Sequence, residues 1–250
     1  MRWFASLVAA VAFAGATACQ ATGYAVVSLI GGELTFVGAQ PVSSTNLDRN
    51  HYSTVPVKDD TLDRAVFNAV DRAVVARNAQ NTALLMRRPV SDVRAAFADD
   101  RKSKAAVARV VAAIRPAADK AGLERLVVVA PYRFAPMMAT ADGHVGTGRV
   151  AGLGVYVDRM THLDRQQPGG AYPGYLGLFA NFRVFVVDVH DGRVLGDDVV
   201  TSGTTYALAR SPTRDPMKAI SADEKLRVLQ GLVDREIGRI LPPLLAKADP

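Results

Sequence analysis

One cysteine, Cys19, is all that this 250-residue chain contains, so no disulfide can form within it. Tryptophan is equally scarce, with Trp3 alone, and aromatic residues make up only 7%. The core must therefore be built mainly from aliphatic side chains. Lysine is also rare. Seven of the 30 basic residues are lysine and the rest arginine, and no basic run is longer than Arg87-Arg88. A net charge of +6 spread so thinly makes no phosphate-tracking stripe, and nucleic acid is not an expected partner. The longest apolar run, Trp3 to Ala16, is shorter than the roughly 20 residues that a membrane-spanning helix needs. Catalytic signatures are missing as well. No histidine sits in His-Glu-x-x-His and no serine in Gly-x-Ser-x-Gly, so neither a zinc protease nor a nucleophile elbow is indicated.

What is present begins at the N-terminus. Arg2, the apolar run and the small residues Ala16-Thr17-Ala18 follow the order of a secretory signal peptide, which predicts residues 1–18 as a signal segment. Two readings of Cys19 follow. Ala16-x-Ala18 suits ordinary cleavage, leaving Cys19 as the N-terminus of a soluble periplasmic protein. Ala16-Thr17-Ala18-Cys19 also stands where a lipoprotein signal places its acylated cysteine, with Ala16 in place of the usual leucine. A lone thiol in an oxidising compartment invites intermolecular disulfides, and acylation removes that hazard. Lipidation of Cys19 is thus the favoured expectation, with residues 19–23 a short tether and 24–250 one folded domain. Gln20 is not an aspartate of the inner-membrane retention type, which points to the periplasmic side of the outer membrane.

Along the domain, Tyr24–Ile30 and Glu33–Val37 flank Gly31-Gly32 and predict a β-hairpin. Gly38–Val57 is polar and proline-broken, and reads as a loop. Leu62, Ala65, Val66, Ala69, Val70, Ala73 and Val74 form one apolar stripe, predicting a helix from Asp60 or Thr61 to about Asn78. Residues 79–89 are open between a continuing helix and a strand at Leu84–Met86. A helix capped by Ser91 follows, then another with the stripe Val107, Val110, Val111, Ile114, Ala118, kinked at Pro116 and stopped at Gly122. Arg125–Ala130, Val150–Val157 and Phe179–Val189 read as strands, and Asp191-Gly192 as the turn into the strand Arg193–Val200. Ser221-x-x-Glu224 is a capping box that opens a last helix, ended by Pro242-Pro243. The expected fold class is α+β (mixed α/β): one mixed sheet of about five to six strands, with amphipathic helices packed on it and hairpins near both ends.

Four constellations invite a chemical reading. Gly146-Thr147-Gly148 with Gly152 and Gly154 resembles a nucleotide loop, but it runs into a strand rather than opening a helix. Period two puts Gly148, Gly152, Gly154 and Tyr156 on one face, which suits close packing. Asp188, His190 and Asp191 lie at a favoured turn, so no metal site is expected there and none is indicated elsewhere. All four histidines (His51, His144, His162, His190) fall in expected loops or turns, and no spacing selects a triad such as Ser28, His162 and Asp164. Two loops are candidate partner-binding elements: Gln166–Gly177 with Tyr172 and Tyr175, and the apolar Pro136-Met137-Met138. No catalytic residue and no cofactor is implied.

The hairpin Val187-Asp188-x-x-x-Gly192-x-Val194-Leu195, together with Cys19 and the closing amphipathic helix, resembles uncharacterised proteobacterial envelope lipoproteins. It is faintly similar to the mixed α/β domain of the curli-secretion lipoprotein, the penicillin-binding-protein activator lipoproteins and the N-terminal domain of TolB. That resemblance implies a non-enzymatic envelope role: binding or assembling with an envelope protein or a peptidoglycan-associated partner, on a membrane reached through a lipid anchor. The alternative is a periplasmic hydrolase with a dispersed catalytic site.

Overall fold

The computed structural model describes residues 21–41, 48–57, 59–87, 91–161, 163, 173–208 and 214–248. Cys19 and Tyr172 lie outside them. So do His162 and Asp164. The element order is β1 (Gly23–Ser28), β2 (Glu33–Gly38), β3 (His51–Pro56), α1 (Thr61–Arg77), β4 (Thr82–Leu85), α2 (Ser91–Phe97) and α3 (Asp100–Lys120). Then come β5 (Arg125–Pro131), β6 (Met138–Thr140), β7 (Gly143–Val145), β8 (Gly152–Asp158), β9 (Tyr175–Asp188), β10 (Val194–Ala207) and α4 (Ala222–Ala248).

The mixed α/β class holds, but the sheet has ten strands rather than five or six. The surplus comes from strands laid end to end. β9 pairs with β10 along one edge for nearly its whole length. On its other edge β8 takes residues 175–181 and β5 takes residues 182–188, both antiparallel. β5 and β8 thus occupy one rank, interrupted by residues 132–151. β1 lies parallel to β5 and β2 parallel to β8, so β1 and β2 share the next rank. β4 flanks β1, and β3 flanks β2 at the outer edge.

This arrangement corrects the expected hairpin at Gly31-Gly32. β1 and β2 do not pair with each other; the glycines only step the chain from one half of the rank to the other. Leu29 keeps the ladder by donating to the Val129 carbonyl at 2.8 Å. The expected loop Gly38–Val57 likewise contains a strand, β3, and His51 opens that strand while His144 lies in β7. Every β3 residue is exposed, so polarity here marks an edge strand rather than a loop. Val57 N–H bonds Gly32 at 3.0 Å, so by alternation Val55 and Ser53 also face β2, and the ring nitrogen of Pro56 points outward where no bond is lost.

Two layers cover the sheet. On the first face, α1 and α4 bury Val66, Val70, Leu229, Val233, Ile237 and Ile240 against Val127, Val129, Leu178 and Val184. α4 does not stop at Pro242-Pro243, because Leu244, Leu245 and Ala248 beyond them are all buried. Each such side chain is worth about 1.5–3 kcal/mol, enough to offset the proline interruption. The Ser221 half of the predicted capping box is present, with Glu224 N–H donating to Ser221 Oγ at 3.1 Å. On the second face, α2 and α3 cover the half made by β1, β5 and the end of β9. Residues 132–150 cover the other half, over Val37, Tyr156, Tyr175 and Phe179.

Candidate functional site

Read along the second face, β9 runs Tyr175, Gly177, Phe179, Asn181, Arg183, Phe185, Val187. Tyr175 and Phe179 belong to the core under the 132–150 cap, Phe185 and Val187 to the core under α2 and α3. The polar pair Asn181–Arg183 falls where these cores part and where β5 gives way to β8. This polar seam lies where the carboxyl end of β5 leaves the sheet, the position at which open α/β sheets tend to bind ligands.

Asn181 is fully buried. Its Nδ2 lies 3.3 Å from three carbonyl oxygens, those of Phe134, Ala135 and Val150, and so ties both ends of the cap to the sheet. Its own carbonyl accepts from Tyr132 N–H at 3.0 Å, whereas its Oδ1 has no partner among the described residues. Beside it, Arg183 pairs with Asp197 on β10 and with Asp100 at the start of α3, and its guanidinium lies 5.1 Å from the Phe185 ring centroid. Burial works against its charge, but the two aspartates outweigh burial and hold its pKa above the ordinary arginine value. Further along, Arg94 of α2 pairs with Glu33 of β2. Burial pulls the Arg94 pKa down, opposed by Glu33 and by Asp63 of α1. Asp63 Oδ1 and Ser28 Oγ, nearby on the first-face side of the same junction, are buried and have no hydrogen-bond partner among the described residues. Apolar surface rims the seam: Phe134, stacked on Tyr132 at 6.0 Å, and Val199, opposite Arg183, are both exposed.

The residues expected to meet a partner are placed differently. Tyr175 is 1% exposed and stacks on Tyr156 at 6.0 Å, so it is a core residue; its pKa is raised by burial and by the neighbouring Tyr156 and Asp158. Met138 is fully buried, because Gly177 and Gly203 leave room for its side chain to lie on the sheet. Met137, between buried neighbours, is half-buried. Neither Tyr175 nor Met138 offers surface to a partner. Tyr175 and Met138 belong instead to the core under the 132–150 cap.

Gly146-Thr147-Gly148 is a clasp, with φ of 114° and 81° at its glycines. Asn50 Nδ2 donates to the Thr147 carbonyl at 2.7 Å, Tyr156 OH accepts from Thr147 N–H at 3.0 Å, and Arg149 N–H bonds Asp48 at 3.2 Å. Tyr52 donates to Asp48 at 2.5 Å; burial and that carboxylate push its pKa up to about 12. Gly148 stands in the clasp rather than in β8, so only Gly152, Gly154 and Tyr156 share the strand face. The Asp188 carboxylate is engaged by Arg125 at 2.9 Å and His190 N–H at 2.9 Å, which makes it a turn cap. Among the described residues no three His, Cys, Asp or Glu side chains come together as metal ligands.

A shallow groove of about 470 Å³ lies between α1 and α4, lined by Thr61, Arg64, Asn68, Gln230 and Gly231 and closed at one end by the Arg72–Asp234 ion pair. A side chain at Gly231 would meet nothing within 4 Å. No packing reason keeps a glycine there, and in a helix interior it costs about 0.5–1 kcal/mol relative to alanine. Gly231→Ala is expected to raise stability by about that amount, read as a shift of the urea midpoint without change of slope.

Neither a protein-family model nor a curated protein matches this chain. Among solved structures, the hypothetical protein CT253 from Chlamydia trachomatis is similar over 87% of this chain and 98% of its own, at 12% identity and a TM-score of 0.28.

Proposed function

We propose that this is an exported, lipid-anchored envelope protein, attached through Cys19, whose folded domain binds another envelope component without catalysing a reaction. The observation that carries the anchoring is the order Arg2, apolar run, Ala16-Thr17-Ala18-Cys19, with the chain's only cysteine at the processing position. Binding is supported by the seam. Its arginines are paired, Arg183 with Asp197 and Asp100 and Arg94 with Glu33, so the seam presents little net charge to a substrate. What it does offer is an exposed aromatic beside hydrogen-bonding groups, the composition of a recognition surface.

Cys19→Ser is expected to move the protein from the membrane fraction to the soluble periplasmic fraction. Sedimentation of that variant with membranes, at the parent's level, would refute the anchor. For the seam, a photo-crosslinking residue at Phe134 should capture a discrete envelope partner that the same group at buried Tyr175 does not. Equal capture from both positions would remove the seam from consideration.

A further inference from the structure

We infer that one end of the domain is held against the bilayer, the end at which β1 begins, and that the seam and the opposite end are thereby turned away from it. The inference rests on acylation of Cys19 and adds an orientation to it. Only Gln20 and Ala21 separate Cys19 from Thr22, and Thr22 is already part of the fold. Its N–H bonds Asn81 Oδ1 at 2.9 Å, and its carbonyl accepts from Thr82 N–H at 3.3 Å. Three Cα–Cα steps of about 3.8 Å allow roughly 11 Å at most between the acylated residue and this rim.

The rim is defined by the register. Gly23 lies opposite Thr82, Tyr24 opposite Arg125, and Arg125 opposite Asp188, so β4, β1 and β5 start here and β9 ends here. α1 and α3 each run into one of these strands and therefore end here too. α4 lies parallel to α1, as the Arg72–Asp234 pair and the shared groove require, and Leu244 packs on Gly196 near the start of β10. Three helix C-termini thus point at the membrane, with the last-turn cations Arg77, Lys120 and Lys247 beside them. Arg193 and Arg125 add cations, the latter paired with Asp188 at 2.9 Å, while Asp119, Glu124, Asp188 and Asp191 oppose. With the signs this mixed, and the negative helix ends added, the short tether rather than charge sets the orientation. At about 3.3 Å per residue, the 14 residues of β9 put the far end, with Asp158, Tyr175 and the exposed Lys218, about 45 Å away.

The test uses the full, lipidated chain in phosphatidylcholine vesicles containing a headgroup spin-labelled lipid. Acylation occupies Cys19, so Arg193→Cys and Lys218→Cys each carry a single fluorophore. Strong quenching is expected at Arg193→Cys and none above background at Lys218→Cys. The same pattern is expected when anionic phosphatidylglycerol is added. Inserting a flexible Gly/Ser spacer of about 20 residues after Gln20, with a span of roughly 25 Å, should abolish the quenching at Arg193→Cys while the protein stays on the vesicles. Equal quenching at both positions, or quenching that survives the spacer, overturns the orientation but leaves the anchor standing. Failure of the parent chain to incorporate labelled palmitate overturns the anchor itself, and the orientation with it.

Discussion

Gly154→Ala is expected to lose about 3 kcal/mol of stability or more, the upper range for overpacking a core site, because the new methyl group has nowhere to go. Gly154 sits in β8 opposite Thr35 of β2, and a β-carbon there would overlap both the Thr35 carbonyl oxygen and the Phe179 ring. A second change can trim the ring, but the carbonyl belongs to the backbone of the neighbouring strand and cannot retreat without breaking the rank. For a chain of this size, each kcal/mol corresponds to about 2–4 °C, so the melting temperature should fall by roughly 6–12 °C. Gly154→Ala combined with Phe179→Leu should recover only a minor part. A variant that melts with the parent would mean that β2 and β8 are not packed as described.

Asn181 is the second position of large effect. Asn181→Leu strips the donor from the Phe134, Ala135 and Val150 carbonyls together. The Phe134 carbonyl still accepts from Val150 N–H at 2.8 Å and the Val150 carbonyl from Phe134 N–H at 3.0 Å, so the Ala135 carbonyl is the one that loses its bond, and a loss of about 1–3 kcal/mol is expected. Faster hydrogen exchange should be confined first to residues 132–151. Asn181→Asp sharpens the test through its pH dependence. A carboxylate facing three carbonyl oxygens in the core has its folded pKa raised above the unfolded value of about 3.9. The folded state then binds the extra proton, so stability falls as pH rises above about 4, by about 1.4 kcal/mol per unit until the folded pKa is reached. Denaturation curves at pH 4 and pH 7 measure this slope directly. A flat pH profile would mean that the side chain at 181 reaches solvent.

Much of the architecture was legible where periodicity is strong. The stripe of α1, the Val107–Ala118 face of α3, the capping box of α4 and the continuous apolar runs of β5 and β9 all report their environment through local spacing. The errors share one cause. Whether Gly31-Gly32 closes a hairpin or steps between two collinear strands depends on which strands β1 and β2 find as neighbours, and those lie more than a hundred residues away at β5 and β8. Pro242-Pro243 signals a helix end locally, yet the buried leucines beyond it outweigh the signal. Tyr175 and Met138 look like loop anchors for the same reason. Nothing near Met138 in sequence reveals Gly177 and Gly203, the distant glycines across which it packs.

The seam could have been suspected from β9 alone, since Asn181 and Arg183 interrupt a face otherwise made of apolar residues and glycine. Its meaning could not be read there. Arg183 finds Asp100 and Asp197, Arg94 finds Glu33, and Asn181 finds three carbonyls, all through contacts that the linear order does not announce.

By itself the sequence determined the mixed α/β class and the long helices and strands, and it is the sole ground for the proposal that Cys19 is processed. These depend on local periodicity and on a short linear signal. Tertiary structure alone decided that three strand ranks are shared end to end, that the second face carries two cores with a polar seam between them, and which elements gather at the end where β1 begins. Those outcomes follow from pairing between distant segments, whose free energy is set by burial and hydrogen bonding across the assembled sheet rather than by any residue's neighbours in the chain.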